Sequence, residues 1–338
     1  MRKFFNDLKN SIKDLIIYEY KYLMVLFLIT IVCYIPLNYY IVIGGGIDDI
    51  SSRIKVEKGY KSEGSLNLSY VSTTDGILLT YLMSYVIPGW SRNSVEDYKY
   101  EETDNEEDIN YRNDIALEKA IEDAKYVAYK KANKKIEVLS TNYYIISVMD
   151  GCNLKVADEI LEIDGNKIDG FDYASYIDSL NIGDTVKVKV IRDKKEKVID
   201  TTIKELDGRK LMGIYLQKLE KYKTTPEVNI KFKRSESGPS GGLLTALSIY
   251  DQLTKEDITN GLVIAGTGTI DSEGNIGEIG GVEHKLRGAV AGKADVFLVP
   301  AGNNYQEAIK LAKKEKMDIE IVEATTFDNV IEKLKEIK

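Results

Sequence analysis

The chain has 338 residues, enough for two or three compact units, and its 43% hydrophobic and 30% charged shares are ordinary for globular material. Lysine and arginine number 46 against 54 aspartates and glutamates, and the net charge of −8 argues against nucleic-acid binding, which needs a basic surface. With one histidine, two cysteines and no CxxC, no zinc-type ligand cluster can be assembled, so neither a metal nor a cofactor is expected.

Residues 1–21 carry Arg2, Lys3, Lys9, Lys13 and Lys21. From Tyr22 to Ile43 the stretch "YLMVLFLITIVCYIPLNYYIVI" holds no charged residue, and Asn38 is its one plainly polar interruption. That is about the 20 apolar residues a bilayer core requires, so the pattern predicts a single transmembrane helix over 22–43. Pro36 would kink it, and Tyr34, Tyr39 and Tyr40 suit an interfacial belt. The flank after it opens with "GGGIDDI" and reaches its first basic residue at Arg53. The positive-inside rule then puts residues 1–21 in the cytoplasm and the body outside. The expectation is a single-pass protein of the cell membrane, in contact with the lipid bilayer through 22–43.

Residues 44–136 read as a mixed extracytoplasmic region. "SLNLSYVST" alternates like a strand, and "EETDNEED" reads as a solvated acidic run. "NDIALEKAIEDAKYVAYKKAN" sets Leu117, Ala120, Ile121, Ala124 and Ala128 on one helical stripe. Over 137–207 the pattern turns β-rich: "YYIISV" and "DEILEIDGNKI" are strands, "YASYIDSL" is a short helix, and "DTVKVKVIRDKKEKVIDTTIKEL" is two strands about a charged hairpin. This stretch resembles a PDZ domain of the bacterial protease-associated kind, through "ADEILEIDGNKI" and "IGDTVKVKVIRD". It departs from that pattern in having "GCN" where "SPA" is usual, and no GLGF-type carboxylate loop is legible. Capture of a substrate C-terminus and a spacer or regulatory role both stay open.

Residues 208–338 form the last unit. "VNIKFKRSESGPSGGLLTALSIY" passes from alternation through a glycine-rich turn into an apolar helix. A glycine-punctuated hairpin, "GLVIAGTGTIDSEGNIGEIGG", and the helix "VEHKLRGAVAGKA" follow. The tail reads strand, helix, strand, helix, and the chain as a whole is a multidomain α/β (α+β) protein.

Taken alone, "GPSGG" is a tight turn. It also satisfies GxSxG, the elbow of α/β-hydrolases, which needs an acid and then a histidine downstream. The one histidine, His284, adjoins Lys285. On a wheel at roughly 100° per residue, Val282, Leu286, Ala289 and Val290 define a buried stripe. Lys285 falls at its edge and His284 nearly opposite, so the lysine is the better base. A free ammonium has a pKa of about 10.4, whereas catalysis asks for about 7–8, a drop that desolvation can supply. Ser240 would attack, Gly241 and Gly242 would leave room for a carbonyl, and Thr267 would orient the amine.

These residues carry a second resemblance, to the proteolytic domain of Lon-type serine proteases. "GPSGG" is similar to that family's GPSAG, which implies Ser240 as nucleophile and gives Gly238, Gly241 and Gly242 the turn. "IGGVEHKLRGA" is similar to its IGG-x-x-x-K-x-x-A element, which implies Lys285 as base, and Thr267 matches the threonine of its TG element. Gly241 stands where alanine is usual and Thr269 where classical Lon enzymes carry an acid. The order of segments resembles membrane-anchored, PDZ-containing Lon-like proteases of the YlbL/SepM type. The resemblance implies a Ser-Lys endopeptidase, the outside placement of the body makes limited cleavage of exported peptides or membrane-protein ectodomains the expectation, and Lon-like domains commonly form rings, which implies a homo-oligomer. No G-x-x-x-x-G-K-[ST] loop occurs, so the activity is expected to be ATP-independent. The alternative is a catalytically inactive, membrane-tethered PDZ scaffold.

Overall fold

A computed structural model describes residues 2–233 and 236–337; within the first helix the side chains of 2, 3, 5–8, 10–12, 14–16 and 19 fall outside it. The side chains of Arg2 and Lys3, counted in the charge bias, therefore lie outside the described residues. In chain order the elements begin with α1 (Arg2–Cys33), β1 (Pro36–Asp49), β2 (Ile54–Val56), β3 (Ser65–Ile77), α2 (Leu78–Met83), β4 (Ser91–Ser94) and α3 (Glu106–Lys131). Next come β5 (Lys135–Val148), β6 (Glu159–Ile163), β7 (Asn166–Lys167), α4 (Tyr173–Ser179), β8 (Thr185–Arg192) and β9 (Lys195–Thr202). A small hairpin of β10 (Lys204–Leu206) and β11 (Arg209–Leu211) leads to β12 (Ile214–Thr225), β13 (Val228–Ile230) and α5 (Gly242–Leu253). The chain ends with β14 (Val263–Gly266), β15 (Thr269–Ile270), β16 (Ile276–Gly277), α6 (Val282–Ala291), β17 (Val296–Pro300), α7 (Asn303–Glu315), β18 (Glu320–Ala324) and α8 (Phe327–Glu336). Among the described residues two compact units result, one of residues 2–44 and 72–97, the other of 45–71, 98–233 and 236–337.

The smaller unit corrects the membrane reading. Helix α1 stops at Cys33, and Pro36 opens β1, whose Tyr39, Tyr40, Ile41 and Val42 pair antiparallel with Ser94, Asn93, Arg92 and Ser91 of β4. Proline has no N–H to continue a helix, and the β-branched and aromatic residues after it favour a pleated strand. The helical part of the apolar run, Tyr22–Cys33, spans roughly 18 Å at 1.5 Å per residue, against a hydrocarbon core of ~30 Å. Among the described residues no helix is long and apolar enough to cross a membrane. The transmembrane helix over 22–43 and the single-pass membrane placement built on it are therefore not supported. Beside β1, the rings of Tyr39 and Tyr81 lie 5.0 Å apart and Arg92 stacks 3.7 Å from the centre of Tyr85.

In the larger unit the β-rich sheet runs β12-β5-β6-β8-β9, with β7 paired to β6. Alternate side chains on one face, Val186, Val188 and Val190 of β8 among them, close a core with Ile145, Ile160, Ile163 and Ile177. Asp158, buried at the start of β6, takes a bidentate fork from Arg192 at 2.7 and 2.6 Å. A second sheet sets β3, β14, β17 and β18 side by side, all parallel. One face (Leu66, Leu68, Ile264, Leu298) packs against α3, α5 and α8. The other (Ala265, Phe297, Val299) packs against α6 and α7. This is the layered outcome of strands alternating with amphipathic helices.

Helix α3 starts earlier than its apolar stripe suggests. Asn105 caps it by accepting from the Glu107 and Asp108 N–H groups, and its own N–H donates to the Asp108 carboxylate. Part of the "EETDNEED" run is consequently not solvated: Asp104 is buried in an ion pair with Arg112 at 2.8 Å.

Candidate functional site

Ser240 sits, half-buried, on the turn that leads into α5. Gly238 opens the turn at φ +80°, in the left-handed region where a side chain would be strained, and its N–H donates to the Asn113 carbonyl at 3.1 Å. The Gly242 N–H closes the turn on the Pro239 carbonyl at 3.1 Å. The Ser240 carbonyl accepts twice, from the Gly268 N–H at 2.8 Å and from the Thr267 hydroxyl at 3.1 Å.

Thr267 lies between β14 and β15 and is fully buried, its own N–H tied to the Leu298 carbonyl at 3.0 Å. Into this spot comes Lys285, only 3% exposed, whose Nζ donates to the Thr267 Oγ1 at 3.0 Å. The threonine hydroxyl thus accepts from the amine and donates to the serine's backbone. Burial pushes the Lys285 amine down to about 8, because the charged form loses its hydration. At pH 7 roughly a tenth of such amines are neutral, against fewer than one in a thousand for an exposed lysine.

Local sequence sets that lysine. Gly281 caps α6 at φ +72°, and Val282, Leu286 and Ala289 enter the core beside Phe297, Ala308 and Leu311. The amphipathic stripe turns Lys285 inward, as the wheel reading has it. His284 departs from that reading. It is 9% exposed, not on an open face, and burial followed by the Arg287 charge lowers its pKa. The cause is the "GGG" stretch: an added Cβ on Gly288 would lie 2.5 Å from the Gly46 nitrogen, and one on Gly45 would collide with the His284 carbonyl. The glycine stretch of β1 therefore lies directly on the second face of α6.

Gly241 and Gly242 face different neighbours. A Cβ on Gly241 would meet the Leu68 side chain at 3.2 Å, whereas one on Gly242 would meet Ile270 at 2.8 Å, with the Ile270 backbone nitrogen at 3.0 Å. Two contributors escaped the sequence reading. Asn304, buried on α7, grips Ile279 through both its side-chain groups, at 2.8 and 3.1 Å, just ahead of the α6 cap. Asn113 contributes only its carbonyl, and neither residue has a spacing signal. Among the described residues no cluster of His, Cys, Asp and Glu is arranged to hold a metal.

Residues 226–336 match the Lon protease (S16) C-terminal proteolytic domain, and residues 128–203 match the PDZ domain. The chain carries both domains. Over 97 residues the chain is 30% identical to the Lon protease of Neorickettsia sennetsu and, over another 97-residue match, 31% identical to that of Xanthomonas oryzae pv. oryzae. Each match takes in 29% of this chain and 11% of the relative, so the chain spans about a tenth of the length of these Lon proteases. The PDZ domain of the SdrC-like protein of Listeria monocytogenes is 32% identical, over 24% of this chain and 92% of that one, with a TM-score of 0.22. That of the Listeria innocua SdrC-like protein is 28% identical, over 22% and 92%, with a TM-score of 0.21.

Proposed function

We propose that the protein is an ATP-independent serine endopeptidase in which Ser240 is the nucleophile and Lys285 the general base. The observation that carries this reading is the buried Lys285 amine, held by Thr267, whose hydroxyl bonds the carbonyl of Ser240. A neutral amine takes the serine proton as the oxygen attacks a peptide carbonyl, then hands it to the leaving amine. Water, deprotonated by the same amine, releases the acyl group and regenerates the serine. Thr267 fixes the amine's direction. The Ser240 and Gly241 N–H groups, which have no partner among the described residues, are the donors available to a developing oxyanion.

The chain holds no phosphate loop of the G-x-x-x-x-G-K-[ST] type, so it brings no unfolding motor of that kind. Its substrates are then extended or loosely folded polypeptide segments that reach the turn unaided, and its cleavage is limited. The test uses an unstructured polypeptide with the full chain. Wild type cuts it, Ser240→Ala and Lys285→Met do not, His284→Gln does, and magnesium-ATP leaves the rate unchanged. Undiminished cleavage by Ser240→Ala would overturn the reading.

A further inference from the structure

Helix α3 touches two places at once through consecutive residues. Arg112 is buried, a costly position for a guanidinium unless its donors are met. They are met by Asp104 at 2.8 Å, the Tyr98 carbonyl at 3.1 Å and the Ile146 carbonyl at 3.3 Å. The guanidinium also lies 4.5 Å from the centre of the Tyr100 ring, which meets the Tyr215 ring of β12 edge-on. Ile146 is where the β5–β12 ladder slips. Tyr215 faces Ser147 and the next residue, Leu216, faces Ile145, which leaves Ile146 without a partner in β12. Arg112 takes up the carbonyl that the bulge orphans. One residue along, the Asn113 carbonyl accepts from the Gly238 N–H, two positions ahead of Ser240.

The geometry points to Arg112 as a positioning residue for Ser240: it fastens α3 to the bulge in the β5–β12 sheet, and α3 holds the serine turn through the Asn113 carbonyl. This rests on the reading of Ser240 as nucleophile. A planar fork with several fixed donors suits the task, because it sets the helix in rotation and in height together. Release the fork, and the first turns of α3 lose their hold on the sheet and on the loop of Tyr98 and Asp104. The Gly238 N–H then loses a fixed acceptor, while the turn keeps its internal Gly242-to-Pro239 bond and its bonds toward Gly268 and Thr267.

The test compares full-length Arg112→Met and Arg112→Lys with wild type, and Lys189→Met, which removes a half-buried lysine's ion pairs to Glu162 and Glu196, is the control. Amide exchange over residues 236–242 is read by mass spectrometry, with kcat, KM and melting temperature alongside. Arg112→Met should raise exchange there by about 10-fold and lower kcat by about 10- to 100-fold, with KM within about threefold. Arg112→Lys keeps a charge opposite Asp104 without the fork and should fall between. Exchange needs no catalysis, so it is measured in the Ser240→Ala background as well. Raised exchange in Arg112→Met, together with a wild-type chain that cleaves no polypeptide, would sink the nucleophile reading and leave the fastening intact. Wild-type exchange and kcat in both Arg112 variants would overturn the fastening. Should Arg112→Met loosen the whole chain, Arg112→Lys decides: exchange over 236–242 that rises no more than elsewhere also overturns it.

Discussion

The Lys285 Nζ donates to the Thr267 Oγ1 at 3.0 Å, with both side chains shut away from solvent. The hydroxyl aims the amine and is itself aimed by the Ser240 carbonyl, so rotation of either group is restricted. Thr267→Val keeps the volume and removes both bonds. Its kcat should fall by about 10- to 100-fold with KM little changed, while Thr267→Ser retains most of the rate. Steady-state kinetics on an unstructured peptide, with melting temperatures to verify the fold, check this.

As the proposed base, Lys285 acts as the neutral amine, which forms above its pKa. With that pKa lowered to about 8 by burial, kcat/KM should climb tenfold per pH unit below 7, bend near 8 and level off above. Lys285→Arg cannot lose its charge and should be inactive across the range. A profile that is flat from pH 6 to pH 9 would assign the proton transfer to another group.

The same shift carries a stability consequence. Unfolded Lys285 holds its proton up to about pH 10.4, whereas the folded chain releases it near 8. Between those values the unfolded state binds more protons, so stability rises with pH through that window. Below about 8 both states are protonated and the full penalty, on the order of 3 kcal/mol, is present. Lys285→Met should therefore raise the unfolding free energy at pH 7 by roughly 1–3 kcal/mol, and the gain should shrink toward pH 10. Urea denaturation at several pH values tests both the sign and the window.

The inward turn of the candidate base was legible because α6 obeys one period: Val282, Leu286 and Ala289 turn inward and bring Lys285 with them. The burial of His284 was not, because it depends on glycines far off in the chain lying across the other face of that helix. The apolar run at 22–43 misled for a related reason. Hydropathy counts apolar side chains without asking whether the backbone stays helical, and after Pro36 it becomes a strand paired with β4. Asp104 looked solvated in an acidic run, yet its partner Arg112 lies one helical excursion away and takes it into the interior. Backbone contributions, such as the Asn113 carbonyl at Gly238, leave no mark on residue type.

The glycines around the site should separate by what stands opposite them. Gly241 has φ −92°, open to any residue, and an added Cβ would meet only the movable Leu68 side chain. Gly241→Ala should keep the rate within about threefold and the stability within about 1 kcal/mol. Gly242→Ala presses on the Ile270 side chain and backbone inside the first turn of α5, where little can shift. It should cost about 1–3 kcal/mol and displace the turn enough to lower kcat by about 100-fold. The strand-on-helix contact makes a parallel pair. Gly288→Ala drives a methyl onto the Gly46 backbone and should lose about 3 kcal/mol, whereas Gly280→Ala, with nothing within 4 Å, should stay within about 1 kcal/mol. Loss at 280 equal to that at 288 would mean that β1 does not press on α6, and the buried setting of His284 and the inward aim of Lys285 would then need another cause.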